Sequence, residues 1–539
     1  MNGYAKCVIK DQTMHKNVSH YTHQVPFWKA EYHEQFLPSY QGNPLIETIP
    51  PIPNRDQVYQ LLQYSPVYDE KYRQWPDHLR MHLFLEAARF FQPLNMHFDL
   101  QEHISRMLHA SYVGRNPLDL GFWSETERRL RIIGQNTVFG SVSHVTTQGI
   151  TLFGISGTGK SRTLEQISAL YPQVIQHTKY HGKRFTWTQL VWLKLECPFD
   201  GSITGLCHDF FQQVDLLLGT NYYEIHGLRG RPTVDTMRIA MARVASDHSL
   251  GFLIIDEIQN LRHTKSAGAD KMLSFLVQLD NTIGVPIIFV GTPKARAILK
   301  GEFRRARRAA GQGDVPWERM VLGKGSEWPL FLETLWKYQY VHKQSDLTDE
   351  LRDVMYDESQ GITDIAIKLY FLAQIRAIVR REECITSDTI RKTAKERLHS
   401  VQDFLYALRS NNRVLLHKYE DIQPVDFEGA VWEALRNVRA TTIEQTTTPA
   451  LEVSPDEARQ NEGTDEAVQE EKIMQQNPEI DDSEQRNKDR STLCTATIEG
   501  GLLETVAAGR ELGMTAYEAL KQGGFIRDTQ EYLAEDTTV

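Results

Sequence analysis

Long apolar runs are missing from this sequence, and so are paired cysteines. No stretch approaches the roughly 20 consecutive apolar residues that cross a bilayer, so no membrane-spanning helix is expected. The opening segment from Met1 to Asn17 has no apolar core, and no secretory leader is expected there. The five cysteines, Cys7, Cys197, Cys207, Cys384 and Cys494, form no C-x-x-C pair. That argues against a disulfide framework or a zinc site and fits a reducing cytosol, with small buried thiols as the plain reading.

Charge of one sign is also scarce outside a single region. The formal net charge is −10, but residues 441–490 hold fourteen Asp/Glu against five Lys/Arg. The rest of the chain is nearly neutral, which leaves room for a local basic face toward nucleic acid. The acidic stretch is polar and poor in aromatics, so 441–490 is expected to be a disordered linker. Residues 491–539 regain helical character at Thr497–Gly509 and Thr515–Gln522. They are too short for a core and are expected to bind a partner.

At 539 residues, several domains are expected. Residues 1–125 are rich in aromatics and prolines. Four prolines in Asn43–Pro53 predict extended chain, either a surface strap or a docking strip for a partner. Helices are predicted at Pro76–Phe91 and Asp99–Ser111. Over 126–345, short apolar runs alternate with amphipathic stretches, the pattern of a parallel α/β sheet. The candidate strands are Gly149–Phe153, Leu190–Leu195, Phe252–Ile255, Pro286–Val290 and Tyr338–His342. Helices are predicted at Lys160–Leu170, Leu206–Leu218, Val234–Ser246 and Lys271–Asn281. Residues 346–440 read as a helical lid, with helices at Asp364–Arg380 and Ser387–Arg409.

What is present is a phosphate-binding loop. Gly154-Ile155-Ser156-Gly157-Thr158-Gly159-Lys160-Ser161 fits G-x-x-x-x-G-K-[ST], between an apolar strand and a helix-forming stretch that opens with Arg162. Glycines at positive φ let successive N–H groups turn inward as an anion nest. Lys160 brings a cation to the β- and γ-phosphates, Ser161 offers a hydroxyl to Mg²⁺, and the following helix points its positive end at the phosphates. ATP and Mg²⁺ are the implied cofactors. Asp256 and Glu257 end the buried run Phe252-Leu-Ile-Ile. Asp256 is expected to hold the metal through its waters, and Glu257 to polarise the water that attacks the γ-phosphate. Thr292 ends the next strand, where it either reaches the γ-phosphate or caps the following helix. Lys294–Arg308 carries seven Lys/Arg against Glu302 alone. Arg304, Arg307 and Arg308 share one helical face, whose counter-ion is a neighbouring subunit's ATP, DNA phosphate or solvent.

Together these parts resemble an AAA+ P-loop ATPase: parallel sheet, helical lid, an N-terminal extension and a partly disordered C-terminal tail. More narrowly, residues 40–410 resemble the TnsC family, ATPase regulators of Tn-seven-like transposons, CRISPR-associated ones among them. The fragments that carry this are Asn43-Pro44 with Ile49-Pro50-Pro51, Tyr112-Val-Gly-Arg-Asn-Pro117, Ile255–Gln259, Gly291–Arg296, and Arg307-Arg308 with Gly311. The resemblance implies a bacterial cytoplasmic ATPase forming a ring or filament on double-stranded DNA without sequence preference. It links a target-selection protein, DNA-reading or RNA-guided, to transposase subunits. Lys160, Ser161, Asp256 and Glu257 then handle nucleotide, and one of Arg304, Arg307 or Arg308 acts in trans. The lid stretch Gly361–Lys368 lacks the usual sensor arginine, and Lys368 is the nearest cation. A helicase loader or replication initiator is the alternative, as is a STAND-type signalling switch without DNA.

Overall fold

The computed structural model describes residues 27–134, 149–263, 272–277, 279–295, 314–323, 325–412, 415–416 and 425–446. All belong to one compact unit, Met1–Ala450. The basic run from Arg296 to Arg308 and the cations Lys265 and Lys271 lie outside the described residues. So do most of the acidic linker and all of 491–539.

Five parallel strands form the central sheet. They are β2 (Ile150–Phe153), β5 (Trp192–Glu196), β6 (Phe252–Asp256), β7 (Ile287–Gly291) and β8 (Asp314–Pro316), in the order β5-β6-β7-β2-β8. Strands β2, β6 and β7 are buried at every position, as expected for a sheet covered on both faces. Register sets Phe153 beside Gly291, and Glu196 beside Asp256, so the phosphate loop, the two carboxylates and Thr292 all follow the carboxyl ends of the parallel strands.

Helix α4 (Asn95–Val113) covers one face. Leu100, Ile104, Met107, Leu108 and Tyr112 pack with Ile150, Leu152, Phe252, Ile254, Ile288 and Val290. A helix of the N-terminal extension therefore supplies one layer of the core. The opposite face carries α7 (Ile203–Leu218) and α8 (Val234–Asp247), whose Met237, Met241 and Val244 are buried as their spacing predicts. The lid follows: α9 (Trp328–Leu335), α10 (Asp349–Ser359), α11 (Thr363–Val379), α12 (Ser387–Arg397), α13 (Gln402–Arg409) and α14 (Phe427–Thr446). Helix α3 (Asp77–Ala87) joins the lid's core through Met81, Phe84 and Ala87. At this junction Arg80, fully buried, donates to Glu383 at 2.8 and 2.9 Å, to Asp77 at 2.6 Å and to the Tyr340 carbonyl at 2.8 Å. Glu383 is held below its usual pKa: Arg80 and the His342 N–H outweigh the opposing effect of burial.

Several expectations are corrected. Tyr338–His342 is not a strand. The Gln374 side chain instead accepts the Tyr340 N–H at 2.7 Å and donates to the Tyr338 carbonyl at 3.0 Å, satisfying backbone that a ladder would otherwise serve. The fifth strand is β8, which pairs with β2. Asn43–Pro53 is not wholly extended, because Pro44–Glu47 forms a helical turn. Asn43 caps it by accepting the Leu45 N–H at 3.0 Å, and Pro44 sits at the first position, where no N–H is needed. The predicted helix Ser387–Arg409 is two helices, broken where Leu398 and Val401 turn into the core. A hairpin, β3 (Val174–Tyr180) with β4 (Lys183–Leu190), was not foreseen; the parallel strand β1 (Trp28–Lys29) extends it. Helix α14 runs to Thr446, into the first residues expected to be linker.

Candidate nucleotide site

The phosphate loop folds as its glycines require. Gly157 and Gly159 have φ of 79° and 88°, and Gly159 occupies the N-cap of α6 (Lys160–Ser168) in the left-handed region. Gly154 has a second reason: a Cβ there would lie 2.1 Å from the Trp317 carbonyl oxygen. Trp317 clamps the loop from below, its indole Nε1 donating to Thr158 O at 2.9 Å. The Thr158 hydroxyl donates to Ile155 O at 2.7 Å, closing the turn.

Lys160 is 8% exposed, and its Nζ donates to Gly154 O at 2.8 Å and Ile155 O at 2.9 Å. Burial pushes its pKa down to about 8, against the pull of Asp256 and Glu257. A cavity of about 350 Å³ opens above it, lined by Ser156–Thr163, Glu257, Thr292, Asp364 and Lys368, and by the apolar Phe90, Phe91, Phe331, Val401 and Val425. Arg162 lines the cavity too, and its guanidinium donates to the carbonyls of Ala88 (3.3 Å), another lining residue, and Arg89. Burial lowers the Arg162 pKa.

Asp256 does not line this cavity. Its carboxylate accepts the Glu257 N–H at 2.9 Å and lies 3.4 Å from Lys194 Nζ, which also pairs with Glu165 at 2.7 Å. Glu257 does reach the cavity, with φ of 55°, a left-handed backbone that a non-glycine residue adopts at a cost. Burial, then the charge of Asp256, raises its pKa. Gln259 bridges two of the predicted residues, donating to the Glu257 carboxylate and accepting the Thr292 N–H at 3.1 Å. A Cβ on Gly291 would sit 2.6 Å from Gln259 Oε1, so a larger residue there would displace the Gln259 amide from this bridge. Thr292 Oγ1 is buried with no partner among the described residues, so its side chain makes no helix cap.

The lid meets the loop directly. Asp364 N, in the first turn of α11, donates to Gly157 O at 3.0 Å, and Lys368 pairs with Asp364 at 2.8 Å. Gln259, Trp317 and Asp364 were not named as site residues from sequence. Gln259 lies two residues past Glu257, and only its spacing hinted at it. Trp317 and Asp364 are brought to the loop by folding alone. Arg304, Arg307 and Arg308 lie outside the described residues.

Residues 144–299 match the family described as AAA domain. No curated protein sequence matches the chain. Solved structures with partial likeness include Cdc6p from Pyrobaculum aerophilum, at 14% identity over 61% of this chain and 88% of that one, TM-score 0.33. Another is the Aeropyrum pernix ORC1 protein in complex with DNA, at 15% identity over 60% and 83%, TM-score 0.30. A third is the Thermotoga maritima RuvB Holliday junction branch migration motor, at 14% over 59% and 84%, TM-score 0.28. With its AAA domain over residues 144–299 and a parallel sheet that presents the phosphate loop at one edge, the chain has the AAA+ P-loop ATPase fold.

Proposed function

We propose that this protein is an ATP- and Mg²⁺-dependent ATPase that oligomerises on duplex DNA and couples target selection to a transposase, as TnsC-type regulators do. The nucleotide half of this reading rests on Lys160, a buried amine at the floor of a cavity walled by the Gly154–Ser161 loop and Glu257. Lys160 is held by two loop carbonyls, so an incoming phosphate meets a positioned cation. Phe90, Phe91, Phe331, Val401 and Val425 offer the base an apolar wall. The donor set is oxygen-only, which suits a hard cation that keeps most of its waters. Ser161 would ligate Mg²⁺ and Asp256 would hold its waters; the ion's chemistry is to neutralise charge on the β- and γ-phosphates. Glu257, its carboxylate oriented by Gln259, takes the proton of the attacking water. Thr292 contacts the γ-phosphate or that water, and one of Arg304, Arg307 or Arg308 completes a neighbouring subunit's site.

The transposition half is supported by how the fragments that resemble TnsC fit together. Asn43 Nδ2 donates to Tyr112 O at 2.8 Å, and Asn116 Nδ2 to Gly42 O at 3.1 Å. Arg115, buried beside them, donates to Leu250 O at 2.8 Å just ahead of β6. Fragments far apart in sequence are thus joined by two buried hydrogen bonds, from Asn43 and Arg115, and an exposed one from Asn116, beside the segment that leads into β6. The reading is tested by co-sedimenting the full chain with duplex DNA in ATP, in ADP and without nucleotide, with Lys160→Ala as control. ATP-dependent capture that Lys160→Ala abolishes is expected; equal capture in all three conditions overturns it. Mixing Glu257→Gln with an Arg304→Glu, Arg307→Glu or Arg308→Glu variant checks the shared site, since recovered hydrolysis requires complementation in trans.

A further inference from the structure

We infer that the turn Arg229-Gly230-Arg231-Pro232 is a minor-groove contact for A·T-rich duplex DNA; this rests on the proposal that the chain binds duplex DNA. The turn connects a π-helical segment, Tyr223–Leu228, to α8. Its mount is rigid. Asp215 accepts the N–H groups of Tyr222 and Tyr223, each at 2.7 Å, and the Thr220 hydroxyl at 2.6 Å. Tyr222 OH bonds His248 Nε2 at 2.9 Å, and a Cβ on Gly227 would strike the Tyr223 ring at 2.9 Å.

What the mount presents is unusual for a solvated loop. Gly230 and Arg231 are both left-handed, with φ of 76° and 51°. Arg229 and Arg231 are exposed, and neither has a carboxylate partner among the described residues. Asp235 nearby is already engaged by Arg238 at 3.0 Å, which leaves Glu224 as the flanking free carboxylate. Ile225, Leu228 and Val234 rim the turn at 48%, 54% and 39% exposure. Minor-groove proteins read the groove with side chains such as arginine and wedge apolar side chains between base steps, and this turn offers two unpaired guanidiniums with apolar side chains beside them. The narrow A·T groove concentrates negative potential that draws arginine in, and apolar side chains wedge between base steps. A turn tip suits a groove about 6 Å wide, whereas the major groove admits a helix. RNA fits poorly, because its minor groove is wide and shallow.

The test uses the full chain with ATP, titrated into labelled A-tract and G·C duplexes of equal length at several salt concentrations. Wild type should prefer the A-tract by about tenfold, the scale of one or two base-pair mismatches, and netropsin should displace it. Arg229→Gln with Arg231→Gln should erase the preference and lower the log–log salt slope by about 1.8, two phosphate-scale contacts at 0.9 each. Arg229→Lys with Arg231→Lys should keep most of the slope and lose the preference, because a strongly hydrated ammonium enters the groove less readily. ATP affinity should not change in any variant. If the Gln pair keeps both preference and slope, or weakens both duplexes equally, the minor-groove assignment is overturned while DNA binding stands. If wild type binds ATP but no duplex, the DNA-binding proposal itself falls, and the turn with it.

Discussion

Gln259 Oε1 accepts the backbone N–H of Thr292 at 3.1 Å, while its Nε2 donates to Glu257. One side chain thus fixes the relative position of the ends of two neighbouring strands. Gln259→Ala should leave ATP affinity within about twofold but lower turnover by about 100-fold, the cost of displacing a reacting group by an ångström. Single-turnover hydrolysis alongside nucleotide titration separates the two effects. Unchanged turnover would mean that Glu257 needs no such support.

Lys160 gives the site a pH dependence whose sign is fixed by burial. Its pKa in the free protein is lowered to about 8 from 10.5. Bound phosphate favours the ammonium, so ATP binding should take up a proton above pH 8. Affinity should then fall by up to tenfold per pH unit above 8 and be flat between pH 6.5 and 7.5. Calorimetric titrations in buffers of different ionisation enthalpy measure that uptake. The same shift makes Lys160 destabilising below pH 8, where both folded and unfolded chains carry the charge; this cost is relieved between pH 8 and 10.5.

The lid is laced to the loop by a short connector after β8. Met320 N donates to Gly361 O at 3.1 Å, and a Cβ on Gly361, at φ 71°, would lie 2.1 Å from Met320 O. Gly361→Ala should lower the melting temperature and weaken ATP binding together. Trp317→Phe keeps an aromatic side chain, though a smaller one, but leaves Thr158 O without its donor, which alone should cost about 1–3 kcal/mol. Thermal unfolding with and without ATP reads both variants.

Arg80 should be the most costly single charge to remove. Arg80→Leu strands the Glu383 carboxylate and should destabilise the fold by about 3–5 kcal/mol. Adding Glu383→Gln should recover part of that loss in denaturant titrations. Asp77, His342 and Glu383 offer three ligand atoms within 4.8 Å of one another, but the Arg80 guanidinium already bonds Asp77 and Glu383. Wild type should therefore gain no melting temperature from added divalent cations at this cluster.

The C-terminal segment is proposed to capture a partner. Because α14 continues to Thr446, a chain ending at residue 450 is the cleaner truncation than one ending at 440. It should retain ATP and DNA binding and lose affinity for transposase in a pull-down. Loss of ATP binding in that truncation would instead assign the segment to the ATPase fold.

Much of the core was legible because its signals are local. The loop Gly154–Ser161 and the strands Phe252–Asp256 and Ile287–Gly291 are short, contiguous and chemically distinctive. Strand β8 was not legible, since Asp-Val-Pro carries no β pattern and exists as a strand only because β2 offers it a ladder. Tyr338–His342 has the β pattern but finds its partners in the Gln374 side chain. The Gly154–Ser161 loop and Glu257, which line the cavity, are read from motifs; Gln259 was passed over although it lies two positions past its motif, and Trp317 and Asp364 depend on long-range packing that no spacing rule encodes. Asp256 was placed correctly on its strand, but its pairing with Lys194 on the neighbouring strand was not visible from spacing.

The bond from Asp364 N to Gly157 O also sets a condition on kinetics. Under the proposed ATPase function, motion of α11 and motion of the phosphate loop are coupled through that bond, so lid opening would contribute to the rate of nucleotide exchange.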